Sequence, residues 1–261
     1  MFVQERPWGV MHVRVDGPAG APAVVFANSL GTDLRLWDAL LPHLPAGLRY
    51  IRYDKRGHGL SGLGGPVTDA DLAADAIALI ERLAGGPVTF VGLSIGGLIG
   101  QAVASARPDL VRALVLSNTA ARLGSPESWQ DRIDAVRAGG LAAIADAVME
   151  RWFAAPFRAT PELALWRNML LRTPAEGYIA ACGALATADR TAANAALRLP
   201  VLAIAGDADG ATPPEVVRAT AALIPGAAFH VIPGAGHLPC VETPAAHAAL
   251  IAPFLAEHSY G

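Results

Sequence analysis

Along the first half of this chain, short apolar runs alternate with amphipathic stretches. Residues 10–15 alternate apolar and polar positions, the period of an antiparallel strand with one wet face. Residues 23–27 (A-V-V-F-A) are continuously apolar, as in a strand buried on both faces, and residues 50–53, 88–93 and 113–116 extend the series. Between them, residues 36–44 predict a short helix. Residues 71–83 predict a longer one, with Leu72, Ala76, Leu79, Ile80 and Leu83 at helical spacing, and residues 98–106 another. From about residue 121 to 198 the strand pattern disappears. Helix-like stretches such as 129–138 and 141–152 replace it, accompanied by Trp129, Trp152, Phe153, Phe157 and Trp166. Strand pattern returns at residues 200–205 and 228–232. Strands alternating with helices predict an α/β architecture, a mostly parallel sheet covered on both faces. The expected organisation is a core of residues 1–120 and 199–261, with residues 121–198 as a helical cap. Such a cap would cover the carboxyl edge of the sheet, where open α/β sheets bind ligands.

The composition narrows the function classes. Of 261 residues 53% are hydrophobic and 16% charged, which excludes a disordered chain, and the net charge of −3 gives no nucleic-acid surface. Residues 83–106 carry no charge, but Gly85, Gly86, Pro87, Gly92, Gly96, Gly97 and Gly100 make them a poor single helix. A strand, a turn and a helix are expected there, with no membrane span. Cys182 and Cys240 have no metal-like spacing and are expected as free thiols. Glu5, Arg6 and Pro7 interrupt the place of a secretory signal's apolar core, so the cytoplasm is the expected location.

Ser94 is the most informative residue. It stands in G-L-S-I-G-G, between the apolar β-like run 88–93 and the helix-like run 98–106. A nucleophile elbow sets a serine on such a strand-to-helix turn, with glycines (here Gly92 and Gly96) where side chains would collide. A serine nucleophile needs a base, and the base an orienting acid. His237 sits in P-G-A-G-H-L-P after the run 228–232, and G-D-A-D-G-A-T-P after the run 200–205 offers Asp207 and Asp209. His230 lies within a strand pattern, His12 near the N-terminus and His247 on the last helix, which sets them aside as bases.

The order Ser94, Asp209, His237 resembles that of the α/β-hydrolase superfamily, whose usual acid position in G-x-x-D-x-x-x-P falls on Asp209. Asp207 is then expected to cap the turn or face solvent. The resemblance implies an oxyanion hole built from backbone N–H groups: Ile95, which follows the nucleophile, and Leu30 in the loop A-N-S-L-G-T. Many relatives carry His-Gly where this loop has Asn28 and Ser29. The run Y-D-K-R-G-H-G-L-S is read as a structural turn held by an Asp54–Arg56 interaction, with His58 within range of the pocket.

The runs A-N-S-L-G-T-D-L-R-L-W, R-T-P-A-E-G-Y-I-A-A-C-G-A-L and G-A-G-H-L-P-C-V-E, together with those above, resemble the 3-oxoadipate enol-lactonases over nearly the whole chain. That resemblance implies hydrolysis of a small, carboxylate-bearing lactone in aromatic catabolism, with no metal and no cofactor. The substrate carboxylate calls for a cation in an apolar pocket. Among Arg132, Arg137, Arg151, Arg167, Arg172 and Arg190, the reading selects Arg132, with Trp152 as a pocket wall. The alternatives are a carboxylesterase or another small-molecule hydrolase on this scaffold and, from a different class, a non-catalytic ligand-binding relative.

Overall fold

The structure is a computed structural model describing residues 2–260. Its strands are β1 (Phe2–Arg6), β2 (Gly9–Asp16), β3 (Ala23–Ala27), β4 (Arg49–Tyr53), β5 (Val88–Leu93), β6 (Val111–Ser117), β7 (Val201–Gly206) and β8 (Ala228–Ile232). They form one sheet in the order β1-β2-β4-β3-β5-β6-β7-β8. The pairs β1/β2 and β2/β4 are antiparallel, and all the others are parallel. The expected α/β sheet is therefore present. Strands β3, β5 and β7 are buried along their whole length, as their apolar runs require, with Thr89 the one polar side chain among them.

Helix α1 (Asp69–Leu83) starts at a capping box, in which Thr68 accepts from Asp71 N while the Asp71 carboxylate accepts from Thr68 N. Helix α2 (Ile95–Ala106) follows β5 directly. Between β6 and β7 come α3 (Pro126–Gly139), α4 (Ala145–Trp152), α5 (Ala155–Arg158), α6 (Leu163–Leu171), α7 (Ala175–Thr187) and α8 (Thr191–Asn194). Helix α9 (Pro214–Ala222) joins β7 to β8, and α10 (Pro239–Glu242) and α11 (Pro244–His258) close the chain. Consecutive residues of β5 show that both faces are covered. Phe90 faces Gly100 of α2, whereas the Thr89 hydroxyl meets Ser259, just past α11, at 2.9 Å. Phe26 packs on Trp37 with ring centroids 4.9 Å apart in the same core. Burial of each such side chain contributes about 1.5–3 kcal/mol.

One strand went unread in the sequence, and two local expectations are corrected. Strand β1 carries the inverse of an edge-strand pattern. Gln4 is buried with its Nε2 donating to Ala78 O, while Val3 is 54% exposed. Residues 36–44 form two 3₁₀ turns, Leu34–Trp37 and Leu41–His43, instead of one helix; Pro42 sits at the start of the second. Within residues 141–152, a 3₁₀ turn at Leu141–Ala143 precedes α4, because Gly140 at φ 65° turns the chain there.

Candidate active site

Ser94 joins β5 to α2 with φ 59° and ψ −122°, a conformation that L residues seldom adopt. The surroundings hold it there. Its N–H donates to Ser117 O at 3.0 Å, and its carbonyl accepts from Thr119 Oγ1 at 2.6 Å and Gly97 N at 2.8 Å. A Cβ on Gly92 would strike the Gly96 carbonyl, and one on Gly96 the Ala27 carbonyl. The turn thus closes only with glycine on both sides of the serine.

The loops after β7 and β8 meet beside it. His237 Nδ1 lies 2.9 Å from Asp209 Oδ2, and both residues are buried. Asp209 Oδ2 also accepts from Thr212 Oγ1 at 2.6 Å and Asn118 Nδ2 at 2.9 Å, and Oδ1 accepts from the backbone N–H of Ala211 and Thr212 at 2.7 and 2.9 Å. Burial alone would raise this carboxyl's pKa. The His237 partner and the Thr212 and Asn118 bonds prevail, holding it below the usual carboxylate range. With Nδ1 engaged, His237 Nε2 is the nitrogen left for other chemistry. Asp207 caps the next turn instead, accepting from Gly234 N at 2.6 Å.

Ser94 and His237 line one cavity of about 130 Å³, together with Leu30 and Thr212 from the sheet side. The opposite wall is Trp129, Arg132, Val148, Arg151, Trp152 and Tyr178, all from helices between β6 and β7. Leu30 N–H and Ile95 N–H donate to no other group among the described residues. Arg132 makes a 3.3 Å bond to the Tyr178 hydroxyl and lies over the Trp129 ring at 5.6 Å. Arg151 donates from Nε to Gly210 O at 3.2 Å. Burial and then the neighbouring Arg132 charge lower the Arg151 pKa. No salt bridge reaches either guanidinium among the described residues, so an anion entering the cavity would find two cations uncompensated.

Helix α4 and the residues just after it are tied to the loops after β7 and β8. His237 N donates to Trp152 O at 2.7 Å and Gly210 N to Arg151 O at 3.1 Å. Glu242 joins the two sides, its Oε1 accepting from Gly236 N and its Oε2 from Ala154 N, both at 2.8 Å. Burial raises the Glu242 pKa to about 7, against the two N–H donors. A side chain on Gly236 would run into Trp152 O and the Glu242 carboxylate.

Asn118, Thr212, Glu242 and Tyr178 therefore join the residues singled out from the sequence, and Arg151, a candidate there, lines the cavity beside Arg132. Asn118 sits at the end of β6 with φ 49°. That left-handed conformation, which asparagine tolerates better than most residues, is the one local signal that could have flagged it. The turn after β4 departs from expectation. Asp54 accepts from Leu34 N at 2.8 Å and Leu60 N at 2.9 Å and pairs with His12 Nδ1 at 2.7 Å, while Arg56 turns to Asp75 on α1. His58 is fully buried, lies on its own turn against Arg56 O at 3.0 Å, and does not line the cavity.

Comparison with known proteins places this geometry. The family model described as alpha/beta hydrolase fold matches residues 22–244. The chain belongs to the α/β-hydrolase fold family. It is 39% identical to 3-oxoadipate enol-lactonase 2 of Acinetobacter baylyi over 75% of this chain and 74% of that protein. The crystal structure of the enol-lactonase from Burkholderia xenovorans LB400 superposes with a TM-score of 0.91 at 38% identity, covering 95% of this chain and 96% of that one. A thermophilic esterase from Thermogutta terrifontis follows at TM-score 0.88 and 32% identity, covering 98% and 96%. The resemblance to enol-lactonases read from the sequence is borne out, and with it a hydrolase of the α/β family. No helix among the described residues is long and apolar enough to cross a membrane.

Proposed function

We propose that this hydrolase opens 3-oxoadipate enol-lactone to 3-oxoadipate through an acyl-enzyme on Ser94. The observation that carries the reading is one cavity shared by Ser94, the Asp209-oriented His237 and two guanidiniums without a carboxylate partner. A neutral ester would leave those cations unpaired, whereas a lactone with a free carboxylate supplies their counter-charge. The name of the A. baylyi relative supports the same substrate, and that of the B. xenovorans relative supports an enol-lactone.

In this reading residues 121–198 serve as the cap, and Arg132 receives the carboxylate against the Trp152 wall. His237 Nε2 takes the Ser94 proton as Oγ attacks the lactone carbonyl. The oxyanion is held by Leu30 and Ile95 N–H. Collapse breaks the ring C–O bond, leaving the acyl group on Ser94. The enolate oxygen receives the proton from His237, and the enol tautomerises to the ketone. His237 then deprotonates a water that attacks the acyl carbon, and Ser94 recovers its proton on release. Asp209 keeps Nδ1–H pointed at itself, so Nε2 is basic, and stabilises the imidazolium in both halves. Every step uses groups of this chain and water alone.

The test is loss of lactone ultraviolet absorbance for wild type and Ser94→Ala, with a neutral p-nitrophenyl ester alongside. Fast lactone loss that disappears in Ser94→Ala, with poor ester turnover, is the expected result. Slow lactone loss with Ser94-dependent ester turnover would overturn the substrate and leave a carboxylesterase.

A further inference from the structure

Behind the loop that carries Leu30 lies a lysine that the chemistry above does not use. Lys55 is 3% exposed, and its Nζ donates to Ser29 O at 2.6 Å and to Thr32 O at 3.4 Å. The Ser29 oxygen accepts twice more, from Thr32 Oγ1 at 2.9 Å and Thr32 N at 3.3 Å. Three donors on one buried carbonyl exceed what its two lone pairs ordinarily serve. The turn could have been closed by Thr32 alone. A buried ammonium added to it is costly, so its placement calls for a reason.

The reason lies in covalent connectivity. The Ser29 carbonyl and the Leu30 N–H are the two ends of one peptide group. Electron density drawn toward the oxygen increases the double-bond character of the C–N bond and leaves the N–H more positive. A charged donor does this more strongly than a neutral one. The same bonds fix the plane of the peptide, and so the direction of the N–H. The groups facing Lys55 are Asp54 and Asp33, which favour the ammonium, and His58, whose Nδ1 is committed to Arg56 O. Burial works against the charge and brings its pKa down to about 7.

We propose that Lys55 is a positioning residue of the oxyanion hole, orienting and polarising the Leu30 amide through the Ser29 carbonyl. It rests on the serine-hydrolase reading above, and it adds a contribution that reaches the transition state without touching substrate. The interaction strengthens only as charge develops on the substrate oxygen, so it acts on kcat and leaves ground-state binding alone.

The experiment replaces Lys55 by Met, which keeps length and volume but removes donor and charge. Expected results are a fall in kcat of about tenfold with KM within twofold, smaller than the loss of a whole oxyanion donor. A trifluoromethyl ketone, whose Ser94 adduct places an oxyanion in the hole, should lose affinity by a similar factor. Adipate, a ground-state dicarboxylate competitor, should bind as before. Thr32→Val removes a neutral donor from the same oxygen and should lower kcat and ketone affinity about threefold. An unchanged kcat in folded Lys55→Met overturns the proposal. So does a fall matched by equal loss of adipate binding, which would make the lysine a mere shaper of the pocket. If Lys55→Met does not fold, Thr32→Val decides, and unchanged kcat and ketone affinity there overturn it. Labelling of wild type by an organophosphate separates the two readings. No label on Ser94 removes the serine mechanism and this inference together, whereas a labelled Ser94 with an indifferent Lys55→Met removes this inference alone.

Discussion

Arg52 and Arg56 near the sheet, and Arg132 and Arg151 on the cavity wall, put one residue type into opposite settings. Arg52 is 1% exposed and closes its fork on Asp16, Asp38 and Leu34 O, while Arg56 pairs with Asp75. Arg132 has a neutral hydroxyl and a ring face, and Arg151 a carbonyl. A guanidinium offers five donors, most of which the fold satisfies for buried Arg52 and leaves to water or a ligand for half-buried Arg132 and exposed Arg151. The first pair belongs to stability. The second pair has no acidic partner within salt-bridge distance among the described residues, and the proposed function gives it the substrate carboxylate as counter-charge. Asp209 and Glu242 show a parallel contrast in the seam between the two regions. Five donors hold Asp209 low, whereas two donors cannot offset burial for Glu242.

The sharpest way to break this comparison acts on the sheet-side loops. Asp209→Asn keeps the shape but lets the amide donate to His237, stabilising the wrong tautomer. Steady-state kinetics should show kcat reduced by about 10³–10⁴ with KM little changed. On the cavity wall, Arg132→Ala and Arg151→Ala should each raise KM for the carboxylate-bearing lactone by about 10–100-fold, with the neutral ester unaffected. Equal effects on both substrates would end the anion-site reading. Arg52→Met should do the reverse. Urea unfolding is expected to show about 2 kcal/mol lost, because Asp16 and Asp38 are partly exposed and water takes over their charges, while KM stays as it was.

Glu242→Gln is the smallest expected effect and probes the seam. Two backbone N–H groups converge on the carboxylate, and the amide would turn its NH₂ toward one of them, so kcat should fall about tenfold. The pH dependence has a defined sign. With a pKa of about 7 in the folded state and 4.5 when unfolded, Glu242 makes folding take up a proton between those values. Its contribution to stability is then present below pH 4.5 and lost as pH rises through 7. Denaturation across that window should show this slope in wild type, and a flatter one in Glu242→Gln. Asp209 has the opposite sign. Its contribution is present above its ordinary pKa and lost as pH falls through its lowered one.

Much of the fold was legible because burial on both faces leaves an unmistakable trace. Strands β3 and β7 read as unbroken apolar runs and β5 as one broken only by Thr89, and the loops after β5, β7 and β8 announced Ser94, Asp209 and His237 in chain order. Strand β1 was illegible because its buried position is Gln4, satisfied by a carbonyl on α1 that the sequence could not bring near. The Asp54–Arg56 pairing failed for a related reason. The Asp54 carboxylate is taken up by Leu34 N, Leu60 N and His12, and Asp75, distant in sequence, is where the guanidinium goes. Lys55 and Glu242 sat in motifs recognised for other residues. Their roles consist of bonds to backbone atoms, which no side-chain pattern encodes.

By itself the sequence determined the sheet, the elbow and the set of residue types able to carry acyl transfer, because these follow from local periodicity, glycine placement and chain order. Tertiary structure alone decided which arginines face the cavity, which carboxylates are held ionised and which carbonyl the buried lysine reaches. Those outcomes depend on distance and desolvation between segments far apart in the chain, and neither quantity exists until the segments pack.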